Sequence, residues 1–176
     1  GLQVVPGDPS IEAFAAADPT RLEAVVTAFE DASSVVVDTS AGLTHATARV
    51  LALADETLLV TTPDPRAVAV TEKTLALATR LGGHVAGAVL VRTGEETQGG
   101  DQTAELRSLE GLETPVLVRV PEDPTVGAAV AAGESVVVFD PSAPASQAYR
   151  RLADALTGSE GATESVEAES VATALA

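Results

Sequence analysis

The sequence predicts an α/β domain, a mostly parallel sheet of about six strands with helices on both faces. Short apolar runs alternate with helical segments almost without interruption, the signature of repeated βα units. The runs are continuously apolar rather than alternating, as strands covered by helices on both sides require. Several helices open on an Asp-Pro pair and close on glycine, so their limits can be read directly.

In chain order, strands are expected over Leu2–Val5, Ser34–Val37, Thr57–Thr61, Val85–Val91, Val116–Val120 and Ser135–Phe139. Asp18-Pro19 places a cap before a proline at the first helical position, and Leu22, Val25, Val26 and Phe29 follow at helical spacing. Asp64-Pro65 repeats this device ahead of the longest helix, which ends at Gly82. Asp123-Pro124 does so again before a short helix stopped by Gly133. A last helix runs from about Pro144 to Leu156, with Ala148, Tyr149, Leu152 and Leu156 on one face. Residues 93–103 read as a polar loop. The domain is expected over residues 1–157, with residues 158–176 an acidic disordered tail.

Composition narrows the function. Hydrophobic residues make up 45 % of the chain but aromatics only 2 %, so the core is built from Val, Leu, Ala and Ile. No cysteine is present, which removes disulfides and thiolate metal sites. His45 and His84 lie too far apart in sequence to suggest a zinc site; each reads as an exposed residue at the start of an element. No run reaches the roughly 18 apolar residues of a membrane span, and no signal-peptide pattern is seen, so a cytoplasmic protein is expected. The net charge of −16, with nine arginines and the single lysine Lys73, repels nucleic acid and anionic lipid. Carboxylates spread along a lysine-poor chain suggest a concentrated-salt cytoplasm, as in a salt-loving archaeon. At molar salt the Debye length is about 3 Å, which screens the self-repulsion.

The run Val35-Val36-Val37-Asp38-Thr39-Ser40-Ala41-Gly42-Leu43 carries the clearest chemistry. Ligands of open α/β sheets bind beyond the carboxyl ends of the strands. An aspartate there suits a hydrated Mg²⁺, and Gly42 lets the turn approach a phosphate. The plainer reading is that Asp38 only ends a strand and caps a turn. Together with Ala54-Asp55-Glu56-Thr57-Leu58-Leu59-Val60-Thr61-Thr62-Pro63-Asp64-Pro65, this run resembles the second half of the MinD/ParA family of deviant-Walker P-loop ATPases. Val120-Pro121-Glu122-Asp123-Pro124, Gly133-Glu134-Ser135-Val136-Val137 and Ala148-Tyr149-Arg150-Arg151-Leu152-Ala153 follow in the family's order. The resemblance covers residues 1–157.

The resemblance implies an ATPase of cell division, chromosome partitioning or spatial positioning, in which ATP and Mg²⁺ join two subunits. Asp38 matches the Walker B aspartate, catalytic and holding Mg²⁺ through water. Thr39, Ser40 and Gly42 fall in the switch that senses the terminal phosphate. Pro121, Glu122 and Asp123 match the turn flanking the base, and Arg92 follows the strand that ends beside it. Asp38 and this turn are expected to border one crevice. Two positions depart: Val91 stands where a side-chain amide is frequent, and Ser40 where proline or glycine is usual. The phosphate loop G-x-x-x-x-G-K-[ST] is absent from the sequence. With the glycine start, this suggests a chain whose front portion is missing, and ATP hydrolysis by this chain alone is not expected. A homodimer or a family partner protein is implied, and the tail lacks the basic amphipathic pattern of a lipid anchor. The alternative is a degenerate, non-catalytic interaction or dimerisation module on the same scaffold, with no cofactor.

Overall fold

A computed structural model describes residues 3–7, 10–12, 18–29, 31–40, 42–94 and 114–158 of the chain. They belong to two compact units, Gly1–Thr57 with Lys73–Val85 and Leu58–Glu72 with Ala86–Ala176, which are treated separately.

In the first unit the Asp18 carboxylate accepts from the amide and hydroxyl of Thr20 at 2.9 and 2.6 Å. This starts a 3-10 turn, Pro19–Arg21, that continues into α1, Leu22–Thr27. Helix α2, His45–Leu53, begins at Thr44, whose hydroxyl accepts from the Thr47 amide at 3.0 Å. Thr47 and Leu51 are its buried residues. Helix α3, Pro65–Arg80, contributes its later turns here, with Ala78 fully buried. Its start falls in the second unit, where Asp64 accepts from the amides of Arg66 and Ala67 at 2.8 and 3.2 Å. The Asp-Pro device therefore works as a cap, because the carboxylate satisfies amides that have no partner within the helix.

The second unit is built on a sheet of three strands among the described residues, in the order β1-β2-β3. These are β1, Thr57–Thr61, β2, Val85–Thr93, and β3, Val116–Pro121. β2 and β3 run parallel, pairing Val89 with Val118 and Val91 with Val120. Helix α4, Pro124–Ala132, follows β3 directly; then come a short helix α5, Val136–Phe139, and α6, Pro144–Thr157. Helix α6 packs on β3. Its Ala145 and Ala148 are fully buried against Val89, Val118 and Val120, with Leu58, Leu117, Tyr149 and Leu152 around them. Alanine at those positions lets the helix axis come close to the valine surface, so small and branched side chains build this core without aromatics at its centre.

Two expected strands take other forms. Residues 34–37 carry no ladder, and Val35, Val36 and Val37 are exposed, Val36 to 93 %. A strand exists only through pairing, and no described strand pairs with this run. Of residues 135–139, Val136–Phe139 form the helical turn α5 instead, with Ser135 at its N-cap. The valine run favours a strand locally, but tertiary contacts override it. The buried Ser146 hydroxyl lies 2.9 Å from the Val136 carbonyl oxygen and 2.7 Å from that of Asp140, while Arg150 reaches the carbonyl of Pro141 at 3.1 Å. Of the strand expected over 2–5, residues 3–5 are described and stand outside the sheet. The loop from residue 95 onward and the tail beyond Gly158 lie outside the described residues. Among the described residues no helix is long and apolar enough to cross a membrane.

Candidate functional site

The parallel pairing of β2 and β3 brings their carboxyl ends side by side, and the expected base-side residues collect there. Val91 pairs with Val120 and Thr93 with Pro121, so Arg92 has no counterpart in the ladder. It takes a left-handed conformation with φ of 58°, rare for a residue with a side chain. The result is a bulge, a device that re-aims a side chain at a strand end. Arg92 Nη2 stands 3.5 Å from Glu122 Oε1, with both side chains largely exposed. An exposed pair at that distance contributes little stability, so what it fixes is position.

Two bonds hold this end together. The Glu122 amide donates to the Thr93 carbonyl at 2.8 Å, and the buried Thr93 hydroxyl lies 3.3 Å from the Val120 carbonyl oxygen. Thr93 was not among the residues singled out from sequence, because a threonine ending an apolar strand gives no signal of its own.

Asp123 follows immediately. Its Oδ1 accepts from the Thr125 amide at 2.9 Å, capping α4, and its Oδ2 accepts from the Ala145 amide at 3.2 Å, capping α6. Hydrogen bonds from the Thr125 side chain, the Thr125 amide and the Ala145 amide hold this carboxyl below the usual aspartate range. Both carboxylate oxygens are thus engaged with protein, and Asp123 acts here as the clamp that orients the turn carrying Pro121 and Glu122. Asp140 builds a similar turn, accepting from the Ser142 hydroxyl and amide at 2.7 and 2.9 Å, bonds that also lower its carboxyl.

The other expected site residues belong to the first unit. Asp38, Thr39 and Ser40 are exposed on a segment that is neither helix nor strand, ahead of α2. Gly42 has φ of +97°, with nothing within 4 Å of the space a Cβ would fill. A backbone turn of this kind, open on its outer side, leaves room for a ligand to approach the main chain. Among the described residues no three His, Cys, Asp or Glu side chains gather as a metal cage. Mg²⁺ does not need one, since it keeps its waters and is held by one or two carboxylates together with ligand phosphates. His84 pairs with Glu56 at 3.4 Å, both exposed.

With this geometry in place, comparison with known proteins defines the class: the fold is that of the MinD/ParA-like ATPases. The MinD of Pyrococcus horikoshii in complex with Mg-ADP superposes with a TM-score of 0.74 at 24 % identity, over 86 % of this chain and 62 % of that one. The cell division ATPase MinD of Pyrococcus furiosus gives 0.73 at 25 % identity, over 85 % and 62 %. In sequence the chain is similar to an uncharacterized ATP-binding protein of Methanocaldococcus jannaschii, 34 % identical over 162 residues. That match takes in 91 % of this chain and 60 % of the relative, so the chain spans about three fifths of the relative's length. No protein-family model matches the chain.

Proposed function

We propose that these 176 residues are the switch and base-side portion of a MinD-like ATPase of cell division or spatial positioning, whose phosphate grip comes from residues outside them. One observation carries the reading. The bulge at Arg92 and the clamp at Asp123 gather Arg92, Pro121 and Glu122 at the carboxyl ends of parallel strands, on a fold shared with a Mg-ADP-binding MinD. In an open α/β sheet that is where ligands bind.

In this reading Arg92 and Glu122 frame the base, Pro121 supplies an apolar wall, and Asp123 holds the turn in place. Thr39, Ser40 and the flexible backbone at Gly42 respond to the terminal phosphate. Asp38 holds Mg²⁺ through water, its exposed carboxylate and the neighbouring hydroxyls being the hard oxygen donors the ion prefers. An ion held there would supply neutralisation of phosphate charge. Val91 offers no hydrogen bond to the base, so base recognition falls to the main chain and to Glu122. The phosphate loop supplies oriented amides and lysines, and its absence from these residues removes most of the grip on the phosphates. The assembly is a nucleotide-bridged homodimer or a complex with a dedicated partner protein.

Titration of the chain with ATP and Mg²⁺ is expected to give no micromolar binding, whereas the protein from the whole reading frame binds and hydrolyses ATP. Asp38→Ala in that protein is expected to abolish Mg²⁺-dependent hydrolysis while leaving the fold intact. The reading fails if the frame upstream of Gly1 holds a stop codon rather than a glycine- and lysine-rich loop, or if the isolated chain binds ATP tightly. A degenerate module on the same scaffold predicts no response to ATP from either form.

The acidic, lysine-poor surface fits work in concentrated salt. The melting temperature is expected to rise between about 0.1 M and about 1 M KCl, as the Debye length falls from about 10 Å to about 3 Å. A flat or falling curve by circular dichroism counts against a salt-adapted origin.

A further inference from the structure

Pro121 ends β3 and has no amide hydrogen, and Arg92 of β2 bulges out of the ladder. The sheet therefore has no regular pairing at Arg92 and no donor at Pro121, where the expected base-side residues collect. Thr93 makes up the loss. Its carbonyl accepts from the Glu122 amide at 2.8 Å, and its hydroxyl donates to the Val120 carbonyl at 3.3 Å. The two bonds fall on either side of Pro121, so one residue brackets the turn. Proline holds its own φ near about −65°, and fixing the atoms before and after it fixes the direction in which Glu122 leaves the strand.

We propose that Thr93 is a positioning residue for nucleobase binding: through these two bonds it sets Pro121 and Glu122 beside Arg92, and its hydroxyl thereby tunes the affinity of that corner for a base. The inference rests on the reading of this corner as the base side. Packing alone does not call for a hydroxyl there, since Thr93 is only 3 % exposed and valine, of nearly the same shape, suits a buried strand end at least as well. A buried hydroxyl costs free energy unless it is bonded, and this one is bonded across the sheet, 27 residues away in sequence. The other buried threonines of the described residues, Thr47, Thr61 and Thr71, bond within four residues of themselves. Thr93 ties one strand to the turn that ends the next.

Adenosine tests this in the 176-residue chain itself, because it is uncharged and escapes repulsion by the net charge of −16. It is expected to shift the amide resonances of Arg92 and Glu122 saturably, with a dissociation constant in the roughly millimolar range of so small a ligand, while ribose leaves them in place. Thr93→Val keeps the side chain's shape and removes the hydroxyl. It should raise the dissociation constant about threefold and speed hydrogen exchange at the Glu122 amide about as much, the lower end for a neutral hydrogen bond. Thr93→Ser keeps the hydroxyl and gives up a buried methyl, so it should lower the urea midpoint yet bind adenosine like the parent. Thr71→Val, which removes a buried hydroxyl from within α3, should also bind like the parent. A purely structural threonine predicts the serine variant binding as weakly as the valine variant or more so, and that result overturns the proposal. So does parent-like affinity in Thr93→Val when Glu122→Ala weakens binding. If adenosine fails to shift Arg92 and Glu122 in the parent, the base-side reading falls and the proposal with it. Should Thr93→Val fail to fold by circular dichroism, Thr93→Ala against Thr93→Ser isolates the same hydroxyl.

Discussion

Gly87→Ala is expected to destabilise the chain by about 3 kcal/mol, read as a lowered urea midpoint with an unchanged slope. Gly87 is buried within β2, and a Cβ placed there would lie 2.6 Å from Leu117 Cγ and 2.9 Å from the Pro115 carbonyl oxygen. The leucine can rotate away, but the carbonyl cannot. It accepts from the Ala88 amide at 2.8 Å, so moving it loosens the bonds that join β2 to β3. The glycine φ of +156° adds a conformation that L side chains rarely adopt. Out of a typical 5–15 kcal/mol, a loss of about 3 lowers the folded-to-unfolded ratio more than a hundredfold. Leu117→Ala in the same chain should recover only the part due to the side chain, leaving the carbonyl's share in a double-mutant cycle. Full recovery would show that the leucine alone crowds the site. A loss under about 0.5 kcal/mol, the range of a neutral surface change, would show that β3 simply shifts. The consequence reaches the strand ends, because the register that Gly87 permits is what sets Arg92 beside Glu122.

The helical part of this fold was legible because its signals are local. Asp64-Pro65 and Asp123-Pro124 begin α3 and α4, and Gly82 and Gly133 stop them, since a cap needs only a carboxylate and amides two or three residues on. The valine runs were not legible in this way. Val35–Val37 and Val136–Val138 look alike in sequence, yet one joins no ladder among the described residues and the other is a helical turn held by Ser146 and Arg150 from α6. Whether β-branched residues form a strand depends on what lies beside them, which a single sequence does not state. The candidate site divides along the same line. Pro121, Glu122 and Asp123 are contiguous, so their common position follows from the chain. The bulge that gives Arg92 its left-handed backbone, and the reach of Asp123 to Ala145 twenty-two residues away, exist only through tertiary contact.

That reach makes Asp123→Ala the second large effect, an expected loss of about 2 kcal/mol, since a single helix cap is worth about 1 and this carboxylate supplies two. The amides of Thr125 and Ala145 lose their acceptor together, so the starts of α4 and α6 loosen in one step. Asp123→Asn retains one carbonyl oxygen and is expected to fall between the parent and the alanine variant. A shortfall of Asn equal to that of Ala would mean the negative charge, rather than the second acceptor, is what matters. The pH dependence has a definite sign. Folding depresses the Asp123 carboxyl below its usual value of 3.8, so its contribution is fully present above the unfolded-state pKa and is lost as pH falls through the folded one. Stability measured from about pH 5 down to about pH 2 should therefore fall less steeply in Asp123→Ala than in the parent. Asp18 and Asp140, also depressed by hydrogen bonds from Thr20 and Ser142, keep some acid sensitivity in the variant. A variant whose acid limb matches the parent's would place the clamp's contribution outside Asp123, and with it the anchoring of the turn that carries Glu122.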